Sequence, residues 1–266
     1  MDLIQLAKEV RKDILRSTTL AGSGHPGGSL SIVEVLLVLY FKIMNIVPDD
    51  PQKNDRDRFV LCKGHSSPAL YSVLAHRGFF DRKKLDRLRQ PGSFLQGHPD
   101  RRTTPGVDMS TGSLGQGLSI VCGMALAARL DKLNLRVYAL LGDGELQEGQ
   151  CWEAFMAIGH FKLDNVCAVI DYNKLQIDGR VNDLMRVEPL KDKLIAFNWN
   201  VLEIDGHNFD EIEKAFNTAK SYKEKPTVII SHTIKGKGIS FMENNLHFHG
   251  NAPTKEEYER AIKELE

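Results

Sequence analysis

An aspartate between two glycines, Gly142-Asp143-Gly144, closes one apolar run of this 266-residue chain, and Asn173, thirty residues on, closes the next. One carboxylate and one amide oxygen suit a hard cation such as Mg²⁺ or Ca²⁺, which takes oxygen ligands. Two side chains are too few for a cage made of protein alone, so a ligand with phosphate oxygens is expected to complete the shell. The flanking glycines leave a bulky anion room beside the backbone, and a helix beginning just beyond them offers it free N–H groups.

That chemistry requires the two residues to meet. Arg136–Leu141 (RVYALL) and Asn165–Ile170 (NVCAVI) read as strands, and Glu148–Phe161 between them has helical character. A strand–helix–strand crossover gives parallel neighbours. Their ends share one edge of the sheet, where open α/β sheets take their ligands. The spacing therefore predicts that Asp143 and Asn173 converge.

Histidines recur beside glycine at bends: Gly24-His25, Gly64-His65, Gly97-His98 and His249-Gly250. There they suit proton transfer or hydrogen bonding to an oxyanion. Gly159-His160 and Gly206-His207 repeat the dipeptide in unremarkable contexts. The histidine spacing fits neither a zinc finger nor an H-E-x-x-H helix, which argues against a zinc site. Thr111-Gly112-Ser113-Leu114-Gly115-Gln116-Gly117 opens a helix; its glycines either let a ring or phosphate lie against the backbone or permit close helix packing. Lys235-Gly236-Lys237-Gly238 reads either as a cation beside a diphosphate or as a solvated turn. No G-x-x-x-x-G-K-[ST] segment is present, which excludes a P-loop.

The elements that would position these residues can be read from periodicity. Leu3, Leu6, Ala7, Val10 and Ile14 predict a helix over residues 2–20, and residues 31–44 a second, strongly apolar one. Phe59–Cys62 reads as a strand, 68–77 and 82–89 as helices, and Gln90–Thr111 as a long loop. Ser113–Leu133 reads as a long helix and Asn173–Glu188 as a loop. Val201–Ile204 and Thr227–Ser231 are further strands around a helix near 208–222, and a short helix is expected near 254–265. The order implies one α/β domain over residues 1–266, a largely parallel central sheet with helices on both faces.

Lysine plus arginine and aspartate plus glutamate both number 35, so no basic excess points to a nucleic acid or an anionic membrane. The longest apolar stretch, Ile32–Val47, contains Glu34 and Lys42 and is too short to span a bilayer. The amino terminus is amphipathic and charged, unlike a secretory signal. Cys62, Cys122, Cys151 and Cys167 form no C-x-x-C pair and fit a cytoplasmic protein with reduced thiols.

Five segments together carry a resemblance: SGHPGGSLS (23–31), DRFVLCKGHSSPALYSVLAHRG (57–78), GHPD (97–100), PGVDMSTGSLGQGLS (105–119) and GDGELQEGQCWEA (142–154). With Asn173, they resemble the transketolase family of thiamine-diphosphate enzymes over nearly the whole chain. The resemblance implies that Asp143, Asn173 and the Leu175 carbonyl bind Mg²⁺, with Ca²⁺ as a substitute. It implies that Gly144 and Lys235 meet the diphosphate, that Gly112, Ser113 and Leu114 line the thiamine site, and that Ile177 packs near the thiazolium. His25, His65 and His98 would face the substrate and the cofactor's reactive carbon. So would a tail histidine, His249 or, as in some members, His247.

Full-length members have about twice this length or more, and the chain resembles only their amino-terminal, diphosphate-binding part. The remainder would bring the glutamate that activates the aminopyrimidine ring and most groups that hold the sugar phosphate. The resemblance therefore implies a separate carboxy-terminal partner subunit carrying the pyrimidine-binding half, an α₂β₂ assembly, and little activity for this chain alone. The reaction implied is transfer of a two-carbon ketol unit between sugar phosphates. A subunit of another thiamine-diphosphate enzyme is the alternative: a deoxyxylulose-phosphate synthase, a 2-oxo acid dehydrogenase or a sulfo-sugar transketolase. A non-catalytic cofactor-binding module is the other. SGHPGG and GHPD favour transketolase over the synthase and the dehydrogenase.

Overall fold

The computed structural model describes residues 2–266. Its strands are, in chain order, β1 (Arg58–Leu61), β2 (Val137–Gly142), β3 (Val166–Tyr172), β4 (Leu175–Gln176), β5 (Gly179–Arg180), β6 (Asn200–Asp205) and β7 (Thr227–His232). Five of them form a parallel sheet in the spatial order β1-β2-β3-β7-β6, and β4 pairs with β5 as a small antiparallel hairpin. β2 and β3 are neighbours in register, with Gly142 opposite Asp171, as the crossover reading requires.

The apolar strand runs follow from burial on both faces. Tyr138, Leu140, Cys167, Val169 and Ile229 point into one core. Helices α1 (Leu3–Ala21), α2 (Pro26–Leu30), α3 (Val33–Val38) and α4 (Ser67–Arg77) contribute to that core. Val137, Ala139, Leu141, Val166, Ala168, Ile170, Val228 and Ile230 alternate into the other core. There they meet α5 (Gln116–Leu130), α6 (Gly149–His160), the single turn α7 (Val181–Leu184) and α8 (Leu190–Ala196). Helices α9 (Phe209–Ser221) and α10 (Lys255–Glu264) return to the first core. Side chains cap the helices where expected: Asp2 accepts from Ile4 and Gln5 N–H at the start of α1, and Thr254 and Glu257 form a capping box on α10.

The helix expected over 31–44 is not continuous. The chain forms α2, breaks at Ser31-Ile32, forms α3, and ends in a wider π-turn over Leu39–Ile43. Ser31 Oγ donates to Asp171 Oδ2 at 2.8 Å, so the break falls where a side chain is drawn to the sheet. This stretch is buried on nearly all sides, so it has no polar stripe from which to locate the interruption. Residues 82–87 form a 3₁₀ helix, not an α-helix. Helix α5 starts at Gln116, not Ser113, because Gly115 adopts φ +86°. At Gly117 a Cβ would fall 2.5 Å from Cys62 Sγ, so this glycine serves close packing of α5 on β1. The 173–188 segment, expected as a loop, holds β4, β5 and α7, and α8 lies beyond it. Among the described residues no helix is long and apolar enough to cross a membrane, and all four cysteines are buried free thiols.

Candidate functional site

The carboxy-terminal ends of β1, β2, β3 and β7 deliver the charged groups to one cleft. Asp143 follows β2 directly and is 2% exposed. Its Oδ1 accepts the Gly144 N–H at 2.7 Å, and its Oδ2 accepts the Lys174 N–H beyond β3. Asn173 lies on the same turn. Its Nδ2 donates to Asp171 Oδ2 at 2.9 Å and its Oδ1 accepts the Leu175 N–H at 3.0 Å. Asp143 and the Asn173–Leu175 turn thus converge, as the strand reading predicted.

Lys235, past the end of β7, is 2% exposed, and its Nζ donates to the Leu175 carbonyl at 3.2 Å. Of the two readings open for the Lys-Gly-Lys-Gly segment, the solvated turn fails for this lysine. Lys237 does reach the surface, half-buried and paired with Glu243 at 3.3 Å. Burial, then the nearby Lys63, push the Lys235 ammonium down to about 8, while Asp171 and Asp143 pull the other way. Burial and then Asp171 push the Asp143 carboxyl up to about 7, against the N–H groups of Lys174 and Gly144.

Three functional neighbours escaped the sequence reading. Asp171, buried at the end of β3, collects Lys63 Nζ at 2.5 Å, Ser31 Oγ, Asn173 Nδ2 and Thr233 Oγ1. Burial raises its carboxyl, but Lys63 and these hydrogen bonds outweigh that and hold it below its ordinary range. Lys63, at the end of β1, also donates to the Gly28 carbonyl at 2.9 Å. Glu145 accepts the N–H groups of Gly115 and Gly142, both at 3.1 Å, tying the 111–117 loop to the turn after β2; burial pushes it up to about 7. A signal existed for two of them: Lys63 and Asp171 are charged residues ending otherwise apolar strands.

Three histidine rings face one another above this charged floor. The ring centroids lie 5.1 Å apart for His25 and His65, 5.7 Å for His25 and His249, and 5.5 Å for the stacked pair His65 and His249. Burial first, then surrounding cations, lowers His25 to about 4, His249 to about 3 and His65 well below its ordinary value. All three are therefore neutral at pH 7 and can each offer one donor and one acceptor. His25 Nδ1 and His249 Nδ1 are buried without a partner, as are Ser66 Oγ and Thr111 Oγ1. Buried polar atoms left in this state call for a ligand or ordered water.

The tail histidine of the cleft is His249; His247 is exposed and packs on Phe248. His98 is exposed at the rim beside Gly112, where a Cβ would come within 3.0 Å of its ring, and it stands outside the triangle. Gly112, Leu114, Gly144 and Ile177 line the cleft, the two apolar residues partly facing solvent. Ser113 is exposed and does not line it.

Asp143, Asn173 and the Leu175 carbonyl fit a hard cation that is completed by ligand oxygens. Among the described residues no three His, Cys, Asp or Glu side chains gather as a metal cage, so a cation here would need oxygens from a ligand. Lys235 offers positive charge to an anion at the same place, and Gly144 lines it.

Residues 4–265 match the family described as transketolase, thiamine diphosphate binding domain. The chain is 50% identical over 266 residues to the 6-deoxy-6-sulfo-D-fructose transketolase subunit SqwG of a Clostridium species, covering all of this chain and 97% of that one. It is 45% identical over 255 residues to one of the subunits of apulose-4-phosphate transketolase from Phocaeicola vulgatus, covering 96% and 90%. Among solved structures, the transketolase from Leishmania mexicana superposes with a TM-score of 0.94 at 31% identity, over 100% of this chain and 41% of that one. The chain thus spans nearly the full length of two relatives named as subunits and about two-fifths of a transketolase in one chain.

Proposed function

The chain belongs to the transketolase family through its thiamine diphosphate-binding domain, and from that premise we propose that it is the diphosphate-binding subunit of a two-chain transketolase. Residues 1–266 form one such domain. With a partner chain bearing the pyrimidine-binding half, in an α₂β₂ assembly, it moves a two-carbon ketol unit from a ketose phosphate to an aldose phosphate.

One observation carries this reading. A carboxyl pushed up to about 7 and an ammonium pushed down to about 8 share a buried edge with an oriented amide and a backbone carbonyl that the ammonium meets at 3.2 Å. Such groups are unfavourable when alone. A dication bound to a diphosphate compensates all of them together. Asp143, Asn173 and the Leu175 carbonyl would hold Mg²⁺, with Ca²⁺ able to replace it, and Gly144 and Lys235 would meet the diphosphate. Gly112, Leu114 and Ile177 flank the thiamine rings, with Ser113 at the margin.

Thiamine diphosphate, when bound, supplies the carbon nucleophile that accepts the two-carbon fragment. The chain's own residues prepare the surroundings. His25, His65 and His249, held neutral by burial, donate to and accept from the hydroxyl and carbonyl groups of a sugar, and His98 meets it at the rim. The family relation supports the transfer class, and the relatives named as subunits support the partner.

A second reading concerns the substrate. The relatives at 50% and 45% identity are named for a sulfonated ketose and for apulose-4-phosphate. A sulfonated ketose or apulose-4-phosphate is therefore the specific alternative to the sugar phosphates of central metabolism. The test is an assay of ketol transfer on a panel of both kinds, with the chain alone and with a candidate pyrimidine-binding subunit. Turnover only in the mixture is expected. Full turnover by this chain alone would sink the two-chain reading.

A further inference from the structure

The Gly206-His207 dipeptide, unremarkable in the sequence, stands behind the lysine of the cleft. β6 ends at Asp205, and the Gly206 N–H donates to His232 O of β7 at 2.8 Å, so the chain turns beside the end of β7. The His207 ring then fits between α3 and the segment that follows β7. Its Nδ1 lies 3.2 Å from Glu34 Oε2, and its Nε2 accepts the backbone N–H of Ile234 at 2.9 Å. A backbone N–H can only donate, so Nε2 carries no proton and Nδ1–H donates to Glu34.

Glu34 is buried, and its other oxygen takes Arg11 Nη2 at 2.6 Å. Arg11 Nε in turn donates to the Lys237 carbonyl at 3.0 Å. The main chain is therefore gripped on both sides of Lys235, at Ile234 by His207 and at Lys237 by Arg11. Gly238, at φ +93°, lets the chain pass the guanidinium; a Cβ there would sit 2.7 Å from Arg11 Nε. The three supporting residues come from α1, α3 and the turn before α9, and none lines the cleft.

We infer that His207, backed by Glu34 and Arg11, is a positioning residue that holds Lys235 in the cleft. The inference rests on the reading of Lys235 as the cation that meets the diphosphate. A buried ammonium gains solvation by withdrawing toward water, and its long stem makes that easy. Fixing the backbone on either side of the lysine restricts that retreat. The clamp adds no net charge, since Arg11 and Glu34 offset each other and the histidine tautomer is neutral.

The test compares wild type with His207→Phe, which keeps a ring but loses both nitrogens, and His207→Gln, which keeps an acceptor and a donor. Titrating each chain with thiamine diphosphate and Mg²⁺ should show about tenfold weaker binding for the Phe variant, as for one lost hydrogen bond. The Gln variant should recover most of it. In the ligand-free chains the Ile234 amide should exchange faster in His207→Phe and stay protected in His207→Gln. Nitrogen-15 spectra of wild-type His207 should show the proton on Nδ1. That measurement needs no variant and holds even if the Phe chain does not fold. A proton on Nε2, an equally protected Ile234 amide, or equal affinities of all three chains overturns the inference. A wild-type chain that binds no thiamine diphosphate overturns the functional reading instead, and the exchange and tautomer measurements then decide the clamp on their own.

Discussion

The two edges of the central sheet are both built from buried charges, yet they behave in opposite ways. At the amino-terminal edge the buried carboxylates are answered. Arg56 Nη2 meets Asp108 Oδ1 at 2.5 Å, and Asp108 Oδ2 accepts the Phe59 N–H at 2.8 Å. Asp57 accepts the Asn45 and Arg136 N–H groups at 2.9 and 2.8 Å, stitching the starts of β1 and β2 together. At the carboxy-terminal edge, Asp143 and Glu145 are pushed up to about 7 and Lys235 down to about 8 by a burial that their backbone hydrogen bonds do not offset. Satisfied buried pairs act as staples, whereas mismatched ones mark a place that a ligand completes.

The contrast can be broken at four points. The largest effect belongs to the staples. Asp108→Asn removes the counter-charge of the buried Arg56 guanidinium and should lower stability by about 3 kcal/mol, a fall in thermal midpoint on the order of ten degrees. Urea titration reads the loss, and cofactor affinity of the folded fraction should be unchanged. Asp143→Ala should do the reverse. Thiamine diphosphate binding in Mg²⁺ should weaken by about a hundredfold or more, because the diphosphate loses its main charge compensation, while the midpoint of the ligand-free chain holds or rises. Unchanged cofactor affinity in that variant would remove Asp143 from the site. Lys235→Met comes third: about tenfold weaker binding of the cofactor, with ligand-free stability no lower than wild type. A marked loss of stability would make this lysine a staple after all.

The smallest effect is protonic. A carboxyl raised to about 7 in the fold binds more protons folded than unfolded between about pH 4 and 7, so Asp143 and Glu145 favour the ligand-free fold as pH falls through that window. His25 and His249, lowered to about 4 and 3, bind fewer protons folded than unfolded, and they oppose this as pH drops below about 6.5. A cation demands the ionised carboxylate, so cofactor binding at pH 6 should release a proton and weaken about tenfold per unit below pH 7. Calorimetry in two buffers of different ionisation heat measures that release. Its absence would mean that Asp143 is already ionised when the ligand arrives.

Much of this was legible from local pattern. The Gly-Asp-Gly and the later asparagine each sit where an apolar run stops, so their meeting needed only the rule that a crossover makes parallel neighbours. α1 showed its helical stripe. What stayed hidden depends on distant partners or on uniform burial. Asp171 and Lys63 gain meaning only when β1 and β3 place them 2.5 Å apart, 108 residues apart in sequence. The break at Ser31 lies in a segment with no polar face to mark it. His207 shares with His160 the preceding glycine that drew notice, and only its contacts with α3 and the segment after β7 give it a role.

The four-donor grip on Asp171 also bears on how fast a ligand can bind. One carboxylate joins the ends of β1 and β3, the break between α2 and α3, and the segment after β7. The conformational freedom of those pieces is therefore lost when the chain folds, not when a ligand comes. The charged floor cannot loosen without opening the sheet edge beneath it, so encounter with the diphosphate end of the cofactor should follow a single exponential with no slow rearrangement after contact.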